Sequence, residues 1–210
     1  VGGGVIHAGA TEALRALVEK ARIPVTTTLL GLGAVDETHG LSLRMLGMHG
    51  SPAANYAVQN CDCLIAVGSR FDDRVTGKID CFAPNAKIVH IDIDPTSVRK
   101  NIPVAVPVVG DCRSSLFELN QMIAAEGLDT ADGRHAQWID TIEGWRNQHR
   151  LAIEQKQVIK PQYVIQRLFE LTRGEAIITT EVGQNQMWAA QYYHFNRPRQ
   201  FITSGGLGTM

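Results

Sequence analysis

Short apolar runs alternate with amphipathic stretches along the chain, and this alternation predicts strands followed by helices. Residues 63–67 and 87–94 are apolar or β-branched runs that stop at Gly68 and Pro95, as buried parallel strands do. Between them lie stretches with the helical period, such as residues 10–22. The pattern predicts a doubly wound α/β fold built on a mainly parallel sheet.

The first 126 residues contain enough elements for one small α/β domain. Ser51 with Pro52, and Asp111 after Gly110, are N-terminal signals for two helices, the second running to about residue 125. The twenty residues from 31 to 50 are predicted to form a long, functional loop. Strands are expected at residues 1–4 (the end of a strand), 25–29, 63–67, 87–94 and 104–109.

A polar stretch, residues 127–133, divides the chain. It predicts a central domain at 1–126, a linker at 127–160 whose helix reaches about residue 153, and an incomplete α/β unit at 161–210. That last unit has a helix at 162–171, a strand at 176–180, a helix at 186–193 and a strand from 201. Two strands cannot close a sheet, so we expect this chain to be a piece of a longer protein.

Composition narrows the function classes. The 210 residues are 44% hydrophobic and 20% charged, which is typical of a globular protein. The net charge of −1 provides no positive excess that would attract nucleic acid or an anionic membrane. No apolar run is long enough for a membrane helix, and no signal peptide is recognisable. The four cysteines lack the spacing of a zinc site, so we expect buried, reduced thiols in a cytoplasmic protein.

The segment Gly68–Gly77 (GSRFDDRVTG) carries the strongest candidate chemistry. It follows a predicted strand, where open α/β sheets bind their ligands. Arg70 and Arg74 suit phosphate, and Asp72 and Asp73 suit hydroxyl or amide groups. A salt-bridged surface loop explains the same residues equally well at this point.

The ends of the other predicted strands, and the long loop, also carry groups that suit a ligand. Taken singly, each has a structural explanation: a tight turn for Gly2–Gly4 (with His7 breaking the dinucleotide glycine pattern), a helix cap for Asp111, a core position for Met48. Together they line one sheet edge for a long cofactor with phosphate, sugar and ring. The segments are Gly2–Gly4, Thr28–Gly31, Gly47–Gly50, Asp92–Asp94 and Gly110–Asp111.

Five motifs resemble the large catalytic subunits of acetohydroxyacid synthases (acetolactate synthases). They are GSRFDDRVTG at 68–77, MLGMHG at 45–50, HIDID at 90–94, VGQNQMW at 182–188 and SGGLGTM at 204–210. The resemblance implies a Rossmann-like central domain and the opening of a C-terminal thiamine-diphosphate-binding domain. It also implies FAD without a net redox role, Mg²⁺, and condensation of pyruvate with a second pyruvate or 2-ketobutyrate, with CO₂ release, in branched-chain amino acid biosynthesis.

The resemblance assigns residues to each cofactor. For thiamine diphosphate it implies Val182, Gly183, Gln184, Asn185 (where the family often has His), Gly208 and Met210. For FAD it implies Gly2, Gly3, Gly4, Thr28, Leu29, Leu30, Gly47, Met48, His49, Gly50, Gly68, Arg70, Asp73, Arg74, Val75, Asp92, Ile93 and Asp111.

The resemblance places the catalytic glutamate and the Mg²⁺ ligands outside these 210 residues, so it implies no catalytic or metal-binding residue here and an inactive fragment. The parent is expected to be a homodimer or homotetramer acting on 2-keto acids, with a small regulatory subunit as a further partner. Two alternatives stay open: another thiamine-diphosphate enzyme, such as a pyruvate oxidase or 2-keto acid decarboxylase, and a non-catalytic nucleotide-binding module.

Overall fold

A computed structural model describes residues 1–128 and 133–205, which form helices alternating with parallel strands. The strands are β1 (Val25–Thr27), β2 (Ser42–Met45), β3 (Cys63–Val67), β4 (Lys87–Asp92), β5 (Val106–Val109), β6 (Ile178–Thr180) and β7 (Phe201–Thr203). The helices are α1 (Gly3–His7), α2 (Thr11–Ala21), α3 (Pro52–Asn60), α4 (Asp73–Thr76), α5 (Cys112–Ala125), α6 (Ala136–Gln148), α7 (Pro161–Thr172) and α8 (Gln184–Tyr192), with 3₁₀ turns at Leu29–Gly31 and Ile79–Cys81.

Every strand pair in the described part of the chain is parallel, as the apolar runs predicted. β1 pairs with β2, β3 with β4, β4 with β5, and β6 with β7. The doubly wound α/β fold class is confirmed.

Val1 and Gly2 join the first two strand groups into one layer. The Val1 amino group donates to Thr26 O at 2.8 Å, and the Gly2 N–H donates to Val67 O at 2.9 Å. With these two residues counted as the first strand position, the spatial order is 3-2-1-4-5-6, the order of dinucleotide-binding folds. The prediction of strand structure through Gly4 was wrong, because Gly3 and Gly4 already belong to α1.

Helices cover both faces of this layer. One core contains Leu14 and Val18 of α2 and Leu116 of α5, packed with Val67 and Ile91 of the strands. The other face has a second core, formed by Ala54, Ala57 and Val58 of α3, Leu43 of β2 and Ile142 of α6. Because both faces are covered, the strands are apolar without strict alternation.

The predicted twenty-residue loop was wrong, since residues 31–50 contain β2. β2 has only four residues and lies between Gly40 and Gly47, so the local sequence pattern is too weak to predict a strand. Its backbone is also irregular, since Arg44 has φ +67°. Pairing with β1 forms it: Ser42 lies opposite Val25 and Met45 opposite Thr27, with an irregular register. The strand predicted at 25–29 ends at Thr27, since Leu29 begins a 3₁₀ turn.

The C-terminal elements pack on the first unit through a shared core. Tyr193 and Phe195 are fully buried and cluster with Leu32 and Met45. The divisions at 1–126, 127–160 and 161–210 stay predictions.

Smaller errors concern element ends and the cysteines. The helix predicted to residue 153 ends at Gln148, and the strand predicted to 94 ends at Asp92, where the Asp92 side chain turns the chain by accepting from the Asp94 N–H. All four cysteines are free thiols, but Cys63 and Cys81 are exposed, so the expected burial was wrong for them.

Candidate functional site

The turns after Val1–Gly2 and after β3 cross in direct backbone contact at the point where the strand order reverses. A Cβ on Gly2 would lie 2.0 Å from Gly68 O, and one on Gly4 would lie 2.7 Å from Gly68 Cα. Gly68 itself has φ +56°, and its own Cβ would meet Gly4 Cα at 2.8 Å. Such switch points are where open α/β sheets bind ligands, and here only glycine allows the two turns to meet.

The Gly68–Gly77 segment is partly helical, which corrects the prediction of a loop. Asp72 caps α4, because its Oδ1 accepts from the Arg74 N–H at 3.1 Å. Asp73 and Arg74 lie on this helix with side chains 80% and 70% exposed, and their closest charged atoms are 3.9 Å apart. A pair this exposed is worth little to stability, so both groups are free to meet a ligand. Arg70 is exposed as well.

The Gly47–Gly50 segment is fastened to α4. The Met48 N–H donates to Arg74 O at 2.9 Å, and Met48 Sδ lies 4.0 Å from Arg74 Nη1. Gly47, at φ +90°, allows this approach, since a Cβ there would lie 2.4 Å from Arg74 O. Partial burial and the nearby Arg74 lower the pKa of His49, which keeps its ring neutral at pH 7.

Large apolar side chains project into solvent after three of the strands. Leu30, Met48 and Ile93 are 50%, 62% and 69% exposed, and they follow β1, β2 and β4. Because parallel strands end at one edge, these side chains and the arginines of the Gly68–Gly77 segment occupy the same edge of the sheet. The arrangement suits a ligand with apolar rings and an anionic group.

Asp92 and Asp111, at this edge of the sheet, each accept hydrogen bonds from nearby backbone N–H groups. Asp111 Oδ1 caps α5 by accepting from the Arg113 and Ser114 N–H groups at 2.9 and 3.2 Å. Asp92 is 7% exposed, and its Oδ1 accepts from the Asp94 N–H at 2.9 Å. Ligand contacts by these two carboxylates stay predictions.

The remaining residues assigned to FAD in the first unit lie in α1, in the turns after β1 and β2, and in α4. The Thr28 N–H donates to Val1 O at 2.8 Å, and a Cβ on Gly3 would lie 3.0 Å from Leu30 Cβ. Leu29 is partly buried against the shared core, and Val75 packs against the α3 core. Gly50 closes the turn after β2, since its N–H donates to Gly47 O at 3.0 Å.

In the C-terminal unit, Val182 and Gly183 lead into α8, which begins with Gln184 and Asn185. Gly183 makes no side-chain cap, so the first N–H groups of α8 are available to an anion. Asn185 Nδ2 donates to Glu181 Oε1 at 2.7 Å. The predicted residues Gly208 and Met210 lie outside the described residues.

Sequence reasoning missed Gln186. It is 7% exposed, and its Nε2 donates to Thr203 Oγ1 at 2.6 Å and to Ser204 O at 2.7 Å. It therefore ties the start of α8 to the end of β7. A polar residue on the buried side of a predicted helix was the available signal.

The two groups of predicted residues are linked. Gln191 Nε2 of α8 donates to His49 O at 2.9 Å, and Arg44 Nη2 donates to Gln191 O. A Cβ on Gly205 would lie 4.0 Å from Leu30 Cδ2. The segments that follow β1 and β2 therefore contact the C-terminal unit, through Gly205 after β7 and through Gln191 of α8.

A cavity of ≈ 270 Å³ lies between β1 and β3, and its lining includes all of β3 together with Ser69, Phe71 and Val75 of the Gly68–Gly77 segment. Side chains of α2, α3 and Trp138 contribute to its mostly apolar lining. The lining includes Thr28 and Val75, two of the residues predicted to bind FAD, but neither Arg70 nor Arg74.

None of the helices in the described part of the chain is long and apolar enough to cross a membrane. Within 1–128 and 133–205, no group of three or more His, Cys, Asp or Glu side chains is placed to hold a metal ion.

The chain is similar along its whole length to acetolactate synthase subunits. It is 46% identical to the acetolactate synthase isozyme 3 large subunit of Escherichia coli K12 and covers 37% of that protein. It is 50% identical to the acetolactate synthase large subunit of Parasynechococcus marenigrum and to acetolactate synthase 1, chloroplastic, of Zea mays, covering 33% of each. All of this chain is aligned in each case, so it spans about a third of the length of these curated relatives.

Two family profiles match as well. Residues 1–119 match the central domain of thiamine pyrophosphate enzymes, and residues 181–210 match their C-terminal TPP binding domain. The first match contains the glycine crossing and the 3-2-1-4-5-6 strand order, and the second contains the uncapped start of α8. By sequence and by fold, the chain belongs to the thiamine pyrophosphate enzyme family.

Proposed function

We propose that this chain is part of an acetolactate synthase large subunit. The parent enzyme condenses two pyruvates, or pyruvate and 2-ketobutyrate, to the 2-acetohydroxy acid with loss of CO₂, in branched-chain amino acid biosynthesis. The observation that carries the proposal is 44–51% identity to acetolactate synthases over all or nearly all of the chain. The relatives are longer than this chain, so the activity belongs to the complete protein.

FAD fits the carboxyl edge of the first unit. The glycine crossing brings two turns together without side chains, and Arg70 and Arg74 supply exposed cations for a diphosphate. Leu30, Met48 and Ile93 offer uncovered apolar surface for the isoalloxazine and adenine rings. These residues would hold the flavin, while the redox-silent role stays a property proposed for the parent enzyme.

Thiamine diphosphate fits the start of α8. Gly183 and Gln184 present free helix N–H groups to a diphosphate, and Asn185 is held beside them by Glu181. When bound, the cofactor supplies the carbanion chemistry that joins two keto acids. The residues of this chain contribute diphosphate binding, and Mg²⁺ is proposed to be held by residues outside it.

Assaying the complete protein tests the activity. With pyruvate, thiamine diphosphate, Mg²⁺ and FAD in aerated phosphate buffer, we expect acetolactate as the main product. Acetaldehyde as the main product would indicate a decarboxylase, and acetyl phosphate with hydrogen peroxide would indicate an oxidase. Either result, or nucleotide binding with no turnover, would overturn the proposal.

A substitution tests the FAD site separately. Arg70→Ala should weaken FAD binding by about tenfold, the effect of losing one charge-assisted contact of about 1.4 kcal/mol. Arg150→Ala is the matched control, because Arg150, on the segment after α6, is exposed and its Nη2 donates to Asn147 Oδ1 at 2.6 Å. Quenching of flavin fluorescence measures both. Equal affinities in the two variants would remove Arg70 from the site.

The proposed parent is a homodimer or homotetramer in the cytoplasm, able to take a small regulatory subunit. Light scattering of the purified complete protein, with and without such a subunit, measures the assembly. A monomer with full activity would contradict it.

A further inference from the structure

Three successive carbonyl groups in the turn after β3 are bonded by side chains from a different part of the chain. His90 Nε2 lies 2.8 Å from Ser69 O. Asn101 Nδ2 donates to Arg70 O at 3.0 Å and to Phe71 O at 2.9 Å. Both hydrogens of the Asn101 amide are therefore used on neighbouring peptide groups.

Bonding these carbonyls fixes the direction of the amides. In a planar trans peptide the N–H points opposite to the C=O. The N–H groups of Arg70, Phe71 and Asp72 therefore point away from His90 and Asn101. The Arg70 side chain, on the same short turn, is exposed. A turn with successive amides on one side and a cation beside them is suited to an anion.

The turn needs such support, because its backbone is strained. Phe71 has φ +53°, a left-handed conformation that is unfavourable for a residue with a Cβ. Its ring is 5% exposed and stands edge-on to His90 and Phe82, with centroids 5.0 and 6.0 Å apart. The side chain is anchored by this packing, and the peptide orientation is left to the two hydrogen-bonding side chains.

We propose that Asn101 is a positioning residue for the flavin diphosphate, acting by holding the Arg70 and Phe71 peptides so that the amides of this turn face the ligand. The inference rests on the proposed FAD site and adds a residue from the β4–β5 connection. His90 shares the task but is fully buried in the core, whereas Asn101 is only half-buried and can be changed with less damage to folding.

Asn101→Asp is the sharpest variant, since it keeps the shape and replaces the donor by an oxygen facing two carbonyls. Asn120→Asp is a matched control: Asn120 Nδ2 also donates to two carbonyls, Ala13 O and Leu116 O, both at 2.8 Å, but between α2 and α5. Asn101→Ala serves as a second, uncharged variant should the aspartate not fold.

The experiment measures FAD affinity by flavin fluorescence and thiamine diphosphate affinity by calorimetry in the complete protein. The Asn101 variants should bind FAD about tenfold more weakly or worse, with thiamine diphosphate affinity unchanged and amide hydrogen exchange at residues 70–72 accelerated. The Asn120 variant should bind FAD like the unsubstituted protein.

Unchanged FAD affinity in both Asn101 variants would overturn the inference and leave the proposed function intact. Equal losses in the Asn101 and Asn120 variants would also overturn it, because they would indicate general destabilisation. An unsubstituted protein that binds no FAD would overturn the FAD site and this inference together.

Discussion

Glu37 and Phe195 exchange two hydrogen bonds across 158 residues of chain. The Phe195 N–H donates to Glu37 Oε2 at 2.9 Å, and the Glu37 N–H donates to Phe195 O at 3.0 Å. Glu37 is 5% exposed and Phe195 is fully buried, so this pair fastens the C-terminal unit to the first unit. The contact makes the junction sensitive to the protonation of one carboxyl group.

Stability should fall as the pH rises from about 4.5 to 7 through the Glu37 contribution. Burial raises the pKa of Glu37 to about 7, only partly offset by Arg44. Between the unfolded and folded pKa values the unfolded chain binds fewer protons, so the free energy of unfolding decreases with pH, by about 3 kcal/mol in all. Denaturant unfolding at pH 5 and pH 7.5 measures this.

Neighbouring ionisable groups also change the stability of the protein in this pH range. Burial lowers the pKa of His194 to about 4, which by itself makes stability rise between pH 4 and 6.5. Asp36 and Arg44 are the other charged groups acting on this junction. Glu37→Gln removes the Glu37 part and keeps an acceptor for the Phe195 N–H, so the variant should be the more stable protein at pH 7.5. An unchanged pH profile in the variant would contradict the shifted pKa.

Gly68→Ala should destabilise the protein by about 3 kcal/mol or more. The new Cβ meets Gly4 Cα at 2.8 Å in a backbone at φ +56°, so steric overlap adds to conformational strain. Gly127→Ala separates the two effects, because Gly127 ends α5 in a left-handed turn at φ +63° with nothing within 4 Å of its added Cβ. That control should lose only about 1 kcal/mol in urea unfolding. Similar losses of stability for both variants would mean that the backbone at Gly4 and Gly68 shifts to accommodate the added Cβ at little cost.

Asp111→Ala should lower stability by about 1 kcal/mol, because α5 loses the acceptor that caps its first turn. Asp111→Asn should restore most of this loss, since its side-chain oxygen can accept the same bonds. Thermal unfolding compares the three proteins. An asparagine variant as unstable as the alanine variant would show that the charge of Asp111, not the cap, carries the effect.

Gln186→Ala should cost about 2 kcal/mol of stability, because it removes two hydrogen bonds that the buried Gln186 amide makes to partly buried oxygens at the end of β7. Gln166→Ala, on the exposed side of α7, should change stability little. Urea unfolding followed by tryptophan fluorescence measures the difference. Equal free energies of unfolding for the Gln186 and Gln166 variants would show that the hydrogen bonds of Gln186 contribute little to stability.

Local signals were sufficient for much of the fold. Ser51 and Asp111 cap α3 and α5 as predicted, because a cap is made by residues two or three positions apart. β3 has the predicted bounds, since its apolar run ends at a glycine. β2 was missed because its own four residues give a weak strand signal. Its hydrogen-bonded pairing with β1, about fifteen residues earlier in the chain, stabilises it as a strand.

Some residues of the candidate site could likewise be predicted from the sequence, and others could not. The resemblance selected Gly68 and Arg70 from a continuous motif, and the structure adds that Gly68 is also needed to pass Gly4. Asn101 was not selected, because an asparagine in a connection has no pattern that points to a turn 30 residues earlier.

Interactions among neighbouring residues account for the alternation of strands and helices, the capped helix starts and the family motifs, so these features can be recognised in the sequence. The folded chain was needed to show that Gly2 and Gly4 cross Gly68, that His90 and Asn101 bond the carbonyl groups of the turn after β3, and that Glu37 bonds to Phe195. These contacts join residues distant in sequence, and their energies depend on burial and on the direction of peptide groups, which exist only once the chain has folded.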